Sequence, residues 1–200
     1  MFPLDIPKNV SFYEMSITDL PSDWDATFDL VNQRLLIAAL TKEQWRAVIP
    51  GMFRVLKPDG AVQIIEPGRV GVLDGLTPIP ITNLTHEVCS AIFEKRNLLG
   101  YNCQSELPTM LKDAGFVDVR VELRKAPLGK QWGKVGIELS RNWAEVVRTC
   151  GMACVQAGGL GLCASEAEVD SMVDQAMREW DETPGIFVEI FAVTGRKPLR

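Results

Sequence analysis

Residues 53–66 read FRVLKPDGAVQIIE, and the fold turns on how this stretch is read. Its first residues close an amphipathic helix, Lys57-Pro58-Asp59-Gly60 has the Pro and Gly of a tight turn, and Ala61 to Glu66 is a buried strand that ends on a carboxylate. A helix, a turn and a buried strand in that order are part of an alternating α/β architecture, so the flanking segments should alternate too.

Upstream, TKEQWRAVIPGMFRVL (41–56) predicts the helix. Thr41 and Gln44 form a capping box, and Trp45, Val48, Ile49, Met52, Phe53 and Leu56 share one face. Pro50-Gly51 predicts a kink or a split within it. FDLVNQ (28–33) is short and apolar in the manner of a strand covered on both faces, and VSFYEM (10–15) predicts another strand, leading into the polar loop ITDLPSDWD. Downstream, PGRVGVLDGLTPIP (67–80) predicts a loop, followed by helices over 83–98 and 105–114 and the alternating strand VDVRVEL (117–123). Helices over 137–156 and 166–180 come next. Ser165 and Glu168 cap the second, and Val169, Met172, Val173, Ala176, Met177 and Trp180 line one side of it. IFVEIFAVTGRK (186–197) is the last strand. Five strands with intervening helices predict an α/β sheet in a single domain, residues 1–200. Segments 76–103 and 126–163 interrupt the alternation. They predict a helical cover, the wall of an apolar pocket over the carboxyl ends of strands 28–33 and 61–66.

Composition narrows the function classes. With 46% hydrophobic residues, 200 residues can bury a sizeable core, and a net charge of −5 without blocks of like charge argues against nucleic-acid or anionic-membrane partners. The opening MFPLDIPKNV shows no targeting pattern, and no run is long enough to span a bilayer. Five cysteines, an odd number without CxxC spacing, read as reduced thiols in the cytoplasm. Cys150 and Cys154 share a helical face with Cys163 nearby, but with one histidine in the chain they predict core thiols and no metal site.

The order FDLV, apolar helix, LKPDG, AVQIIEPG, LPTMLKDAGFVDVRVE, PLG and a closing FAVTGRKP resembles the class I S-adenosylmethionine-dependent methyltransferases, most of all the fungal secondary-metabolism group. The resemblance covers about residues 10–198. It implies a Rossmann-like methyltransferase sheet, mostly parallel, with an antiparallel last strand lying between AVQIIE and VDVRVEL. In that family a glycine-rich loop whose amides approach the cofactor, and an acidic residue for the ribose hydroxyls, lie before the VSFYEM-type strand. Here nine residues precede it, so the expected sheet is N-terminally truncated. FDLVNQ is left with an edge to be covered by VSFYEM, by a second copy of the chain or by a partner chain. Residues 159–164, GLGLCA, satisfy GxGxxA, but the helical spacing of NWAEVVRTCGMACVQ stands where that fingerprint requires a strand, so a helix–helix connection is the expectation.

Carried over by position, the resemblance implies Asp19 beside the adenine, and Asn32, Gln33 and Arg34 beside the methionine moiety and the transferable methyl. Ligands in open parallel sheets collect at such carboxyl ends, which favours the last three independently. Asp19 could instead cap a turn, and Arg34 could pair with a surface carboxylate. Asp29 reads as structural. His86, the only histidine, is the candidate general base for an oxygen nucleophile, with packing as the alternative. Glu66 is a candidate for substrate contact or for capping the next loop. Tyr101 and Trp132 are candidate substrate-binding residues of the pocket wall, whereas Trp143, Met177 and Trp180 suit either core or pocket. Two functions therefore compete. One is a small-molecule methyltransferase impaired in S-adenosylmethionine binding as the chain stands. The other is a methyltransferase-like protein without transfer activity, either a pseudoenzyme subunit or a scaffold for cofactor-independent cyclisation or rearrangement.

Overall fold

The computed structural model describes residues 6–199. In chain order the elements are β1 (Phe28–Arg34), α1 (Lys42–Val55), β2 (Leu56–Val72), α2 (Pro80–Lys95), α3 (Cys103–Asp113), β3 (Val117–Pro127), α4 (Gly133–Gln156), α5 (Glu166–Glu182) and β4 (Ile186–Arg196). They form a four-stranded sheet in the order β1-β2-β4-β3. β1 and β2 are parallel, and β4 runs antiparallel to both β2 and β3, so three strands share one direction and the last one opposes them. The reversed strand lies between the AVQIIE and VDVRVEL segments, as the resemblance implies.

Several local expectations need correction. VSFYEM is not a strand: residues 10–15 are irregular and exposed. A strand parallel to β1 needs a crossover, usually a helix of a dozen or more residues, and residues 16–27 provide only a single 3-10 turn at Ser22–Trp24. The segment is instead anchored by Tyr13 on Trp24 and Trp24 on Phe28, both edge-to-face with ring centroids 5.2 Å apart. Consequently β1 is an edge strand among the described residues rather than one covered on both faces, and Leu30 is 56% exposed.

The helix 42–55 runs through Pro50 without a break, with Thr41 and Gln44 closing the capping box at its start. Arg46, whose carbonyl loses its partner at Pro50, is exposed to water, which moderates the cost. The LKPDG turn becomes a bulge in β2. Phe28 pairs with Leu56 and Leu30 with Ala61, so residues 57–60 swell out of the ladder, and Asp59 takes a positive φ of 63°. β2 also continues past Glu66 to Val72 where a loop was expected, pairing Pro67 with Ile190 and, after a second irregularity between Pro67 and Val70, residues 70–72 with 186–188. Gly68 permits this crossing: a Cβ there would lie 2.8 Å from Glu189 Cβ.

The length of β2 explains the two larger of the three core clusters. Val62 and Ile64 at its start join Trp45, Ile49, Leu107 and Leu111 of α1 and α3, whereas Val70 and Val72 at its end join Trp143, Val147, Val173 and Trp180 of α4 and α5. Trp143 and Trp180 are thus core residues, with Met177 packed against them. The start of α2 is tied to α5 by Glu179, whose two oxygens accept from Ile81 N at 3.1 Å and Thr82 N at 2.8 Å. Thr82 Oγ1 donates to the same carboxylate and accepts from Trp180 Nε1 at 2.9 Å. A carboxylate at a helix N-terminus satisfies amides that have no intrahelical partner.

Candidate functional site

The carboxyl ends of β1 and β2 meet in a buried polar cluster. Glu66 is fully buried, and each of its oxygens is used: Oε1 accepts from Gln33 Nε2 at 2.7 Å and from Leu36 N at 2.8 Å, and Oε2 accepts from Ile37 N at 3.0 Å. Burial raises the Glu66 pKa, and the three hydrogen bonds partly offset the rise. The carboxylate thereby holds the turn into which the chain reverses at Leu35, where φ is 61°. The expected cap of the next loop is corrected: the turn that Glu66 holds follows β1, and no loop follows Glu66 itself because β2 runs on to Val72. Gln33 is buried as well, and with Nε2 committed to Glu66 its Oε1 is left as a buried acceptor without a partner.

The other positions around these strand ends are engaged differently. Asn32 donates through Nδ2 to Gln63 Oε1 at 2.7 Å, across the exposed side of β1 and β2. Arg34 is exposed, and Asp19 is exposed at the close of a turn in which its N–H bonds Ser16 O at 3.1 Å. Asp29 pairs with Lys57 at 2.9 Å, consistent with a structural role.

Beyond this cluster, Arg69 on β2 and the segment from α2 to residue 102 enclose a cavity of about 350 Å³, with Lys42 of α1 closing one side. Ser90, Phe93, Glu94 and Tyr101 also line it. Tyr101 is the centre of an aromatic cluster, with His86 edge-on at 5.7 Å and Phe93 at 5.5 Å, while the Arg69 guanidinium lies 4.7 Å over its ring. Burial pushes the Tyr101 hydroxyl pKa well up, and the neighbouring Cys89 adds to the rise. The wall is more polar than the apolar one expected, and residues 90–102 build it rather than 126–163.

His86 sits behind that wall, 4% exposed, with Nε2 accepting the Val70 N–H at 3.0 Å in the irregular part of β2. Burial first, and the Arg69 charge second, hold its pKa down at about 4. The ring is therefore neutral near pH 7 with its lone pair already used. Trp132 ends the 3-10 turn Lys130–Trp132 and is 45% exposed, away from the cavity. The structure thus brings Gln33 and Glu66 together at one point and Tyr101 and His86 at another, and leaves Trp132 apart. Arg69 and Lys42 escaped the sequence reading. The only signal for Arg69 was its place just after Glu66, in a stretch read as loop. GLGLCA lies in the 157–165 connection between α4 and α5, so it is not a post-strand loop.

The strand order, with the reversed β4 inserted between β2 and β3, defines a class I methyltransferase-like α/β protein. Similarity to known proteins agrees: the chain is related to the fungal methyltransferases of the secondary-metabolism type that its motifs resemble. It is 29% identical to N-methyltransferase sirN of Leptosphaeria maculans, over 98% of this chain and 69% of that protein. To N-methyltransferase gliN of Aspergillus fumigatus it is 28% identical, over 98% of this chain and 71% of the relative. Among solved structures, a candidate methyltransferase of Bacillus halodurans C-125 superposes with a TM-score of 0.50 at 13% identity, over 94% of this chain and 78% of the other. No family model matches the sequence.

Proposed function

We propose that the chain acts as a methyltransferase-type protein on a small molecule, with S-adenosylmethionine as methyl donor, the cavity beside Tyr101 as acceptor pocket, and Gln33 at the junction. The relatives named N-methyltransferase favour a nitrogen acceptor. The observation that carries the reading is the unpartnered Gln33 Oε1. Glu66 fixes the Gln33 amide through Nε2, so the carbonyl end is a preset acceptor at the carboxyl end of β1. Such an acceptor suits an ammonium or N–H donor, and the amino group of a methionyl moiety is one.

S-adenosylmethionine, when bound, supplies a methyl group on a positively charged sulfur, open to in-line displacement by a nitrogen lone pair. The protein's part is alignment and water exclusion more than proton transfer. Gln33 holds an N–H donor and Glu66 holds Gln33. His86, neutral and bonded to Val70, supports the cavity wall, so the role of base proposed for it from sequence is not needed for a nitrogen that reacts through its own lone pair.

For the 200 residues as they stand, we also propose weak cofactor affinity. Among the described residues the glycine-rich segment 158–161 follows a helix, and β1 ends in a turn whose Leu36 and Ile37 amides are spent on Glu66. The same observation favours a second reading, a methyltransferase-like scaffold that transfers no methyl group. The outer edge of β1 is where a second copy or partner chain, expected from sequence, would pair. Five free, buried cysteines support a reducing, cytoplasmic setting. Among the described residues, no helix is long and apolar enough to cross a membrane.

Calorimetric titration with S-adenosylhomocysteine tests the assignment. Binding in the ~millimolar range is expected, weakened further in Gln33→Leu. A micromolar isotherm would refute weak affinity, and an unchanged isotherm in Gln33→Leu would remove Gln33 from the site. Methyl transfer to a small amine separates the two functional readings.

A further inference from the structure

We propose that the cavity beside Tyr101 is built to hold an anionic group, a carboxylate or phosphate of a small-molecule ligand, on Arg69 and Lys42. The inference rests on the reading of this cavity as the small-molecule pocket and adds the charge of what enters it.

The first support is the state of Arg69. Some surface cations have carboxylate partners, for example Arg54 with Asp25, Lys57 with Asp29, Arg148 with Asp170 and Arg196 with Asp59. Arg69 has no hydrogen bond or ion pair among the described residues. Its guanidinium is stacked 4.7 Å over the Tyr101 ring. The contact with the ring face leaves the guanidinium N–H groups for a planar, bidentate acceptor, the geometry that carboxylates and phosphates present. Tyr101 is itself held by His86 and Phe93, so the platform under Arg69 is rigid.

The second support is the local field. Lys42, the other cation on the lining, is half-buried and likewise without an ion-pair partner among the described residues. It opens α1, the helix end where the macrodipole already favours negative charge and a cation is disfavoured, so Lys42 and the helix end both gain from an incoming anion. Glu94 is the one carboxylate on the lining, which leaves the wall with one net positive charge. His86 adds none, because it stays neutral behind Tyr101. At about 350 Å³ the space is at the small end of ligand pockets, enough for a ring bearing one acid group.

The test is NMR titration of the ¹⁵N-labelled chain with benzoate, phenyl phosphate and benzamide, reading the Gly100 and Tyr101 amides. Benzoate or phenyl phosphate should shift these signals with an affinity about tenfold or more above that of benzamide, and salt should weaken the binding. The stronger of the two identifies carboxylate or phosphate as the preferred group. Arg69→Gln should abolish the preference, Arg69→Lys should restore part of it, and Glu94→Gln should strengthen it. Equal binding of all three probes would leave a small-molecule pocket standing and overturn the anion site. Shifts from none of them would overturn both. Because Arg69 is exposed, Arg69→Gln should fold, and an Arg69→Gln chain that keeps the preference would also refute the proposal.

Discussion

Gln33 Nε2 donates to Glu66 Oε1 over 2.7 Å, although in the ladder Gln33 is paired with Ile64. The bond reaches past the last rung of β1 and joins the ends of two parallel strands through side chains. One carboxylate therefore does two things: it holds the turn that leaves β1, and it decides which end of the Gln33 amide stays free.

Glu66→Gln should destabilise the fold by about 1–3 kcal/mol, because the amide offers one acceptor oxygen to three donors and sets its own N–H against one of them. Urea unfolding measures this. The pH dependence has a definite sign. Burial raises the folded pKa of Glu66 above its ordinary 4.5, so its contribution is fully present below that pH and is lost as pH rises through the raised value. Glu66→Gln should remove that slope.

His86 should show the opposite sign. Its folded pKa of about 4 lies below the ordinary 6.5, so the unfolded chain takes up the proton first. Stability is full above 6.5 and falls as the pH drops towards 4, by roughly 3 kcal/mol at most for a largely buried ring. Urea midpoints at pH 7 and pH 4.5 should differ less in His86→Gln than in the parent, and an equal difference would contradict the buried neutral ring.

Tyr101→Ala and Trp132→Ala should separate, although the sequence places both in one pocket wall. Tyr101 supports His86, Phe93 and Arg69, and its removal should cost roughly 2–4 kcal/mol. Trp132 is half-exposed at the end of a short turn, and its removal should cost less than about 1 kcal/mol. Thermal melts of the two variants give the comparison.

Thr82→Val should loosen the α2–α5 contact. It leaves Trp180 Nε1 buried without an acceptor and removes the hydroxyl donated to Glu179, at a cost of about 1–3 kcal/mol. Hydrogen exchange at the first turn of α2 should rise before exchange in β2 does.

The sequence by itself determined the elements whose signals are local: α1 through its capping box and apolar face, α5 through its Ser165 cap and apolar face, β4 through its β-branched and aromatic run, and residues 61–66 as a strand, in which Val62, Ile64 and Glu66 are buried. The order of motifs carried the reversed position of β4, because that arrangement travels with the resemblance. What needed the tertiary structure was every feature that depends on a partner distant in sequence. VSFYEM has strand propensity, yet propensity forms no ladder without an edge in reach. Residues 67–72 look like loop because of Pro67 and Gly68, yet β4 extends the ladder over them, since Gly68 admits Glu189. Gln33 and Glu66 were legible as separate candidates, but their bond joins residues 33 positions apart, and only the parallel register of β1 and β2 makes it. Arg69 was illegible for the same reason: its place on Tyr101 exists only once β2 runs on beneath α2, and a guanidinium in a glycine-rich stretch shows nothing of the ring on which it will stack.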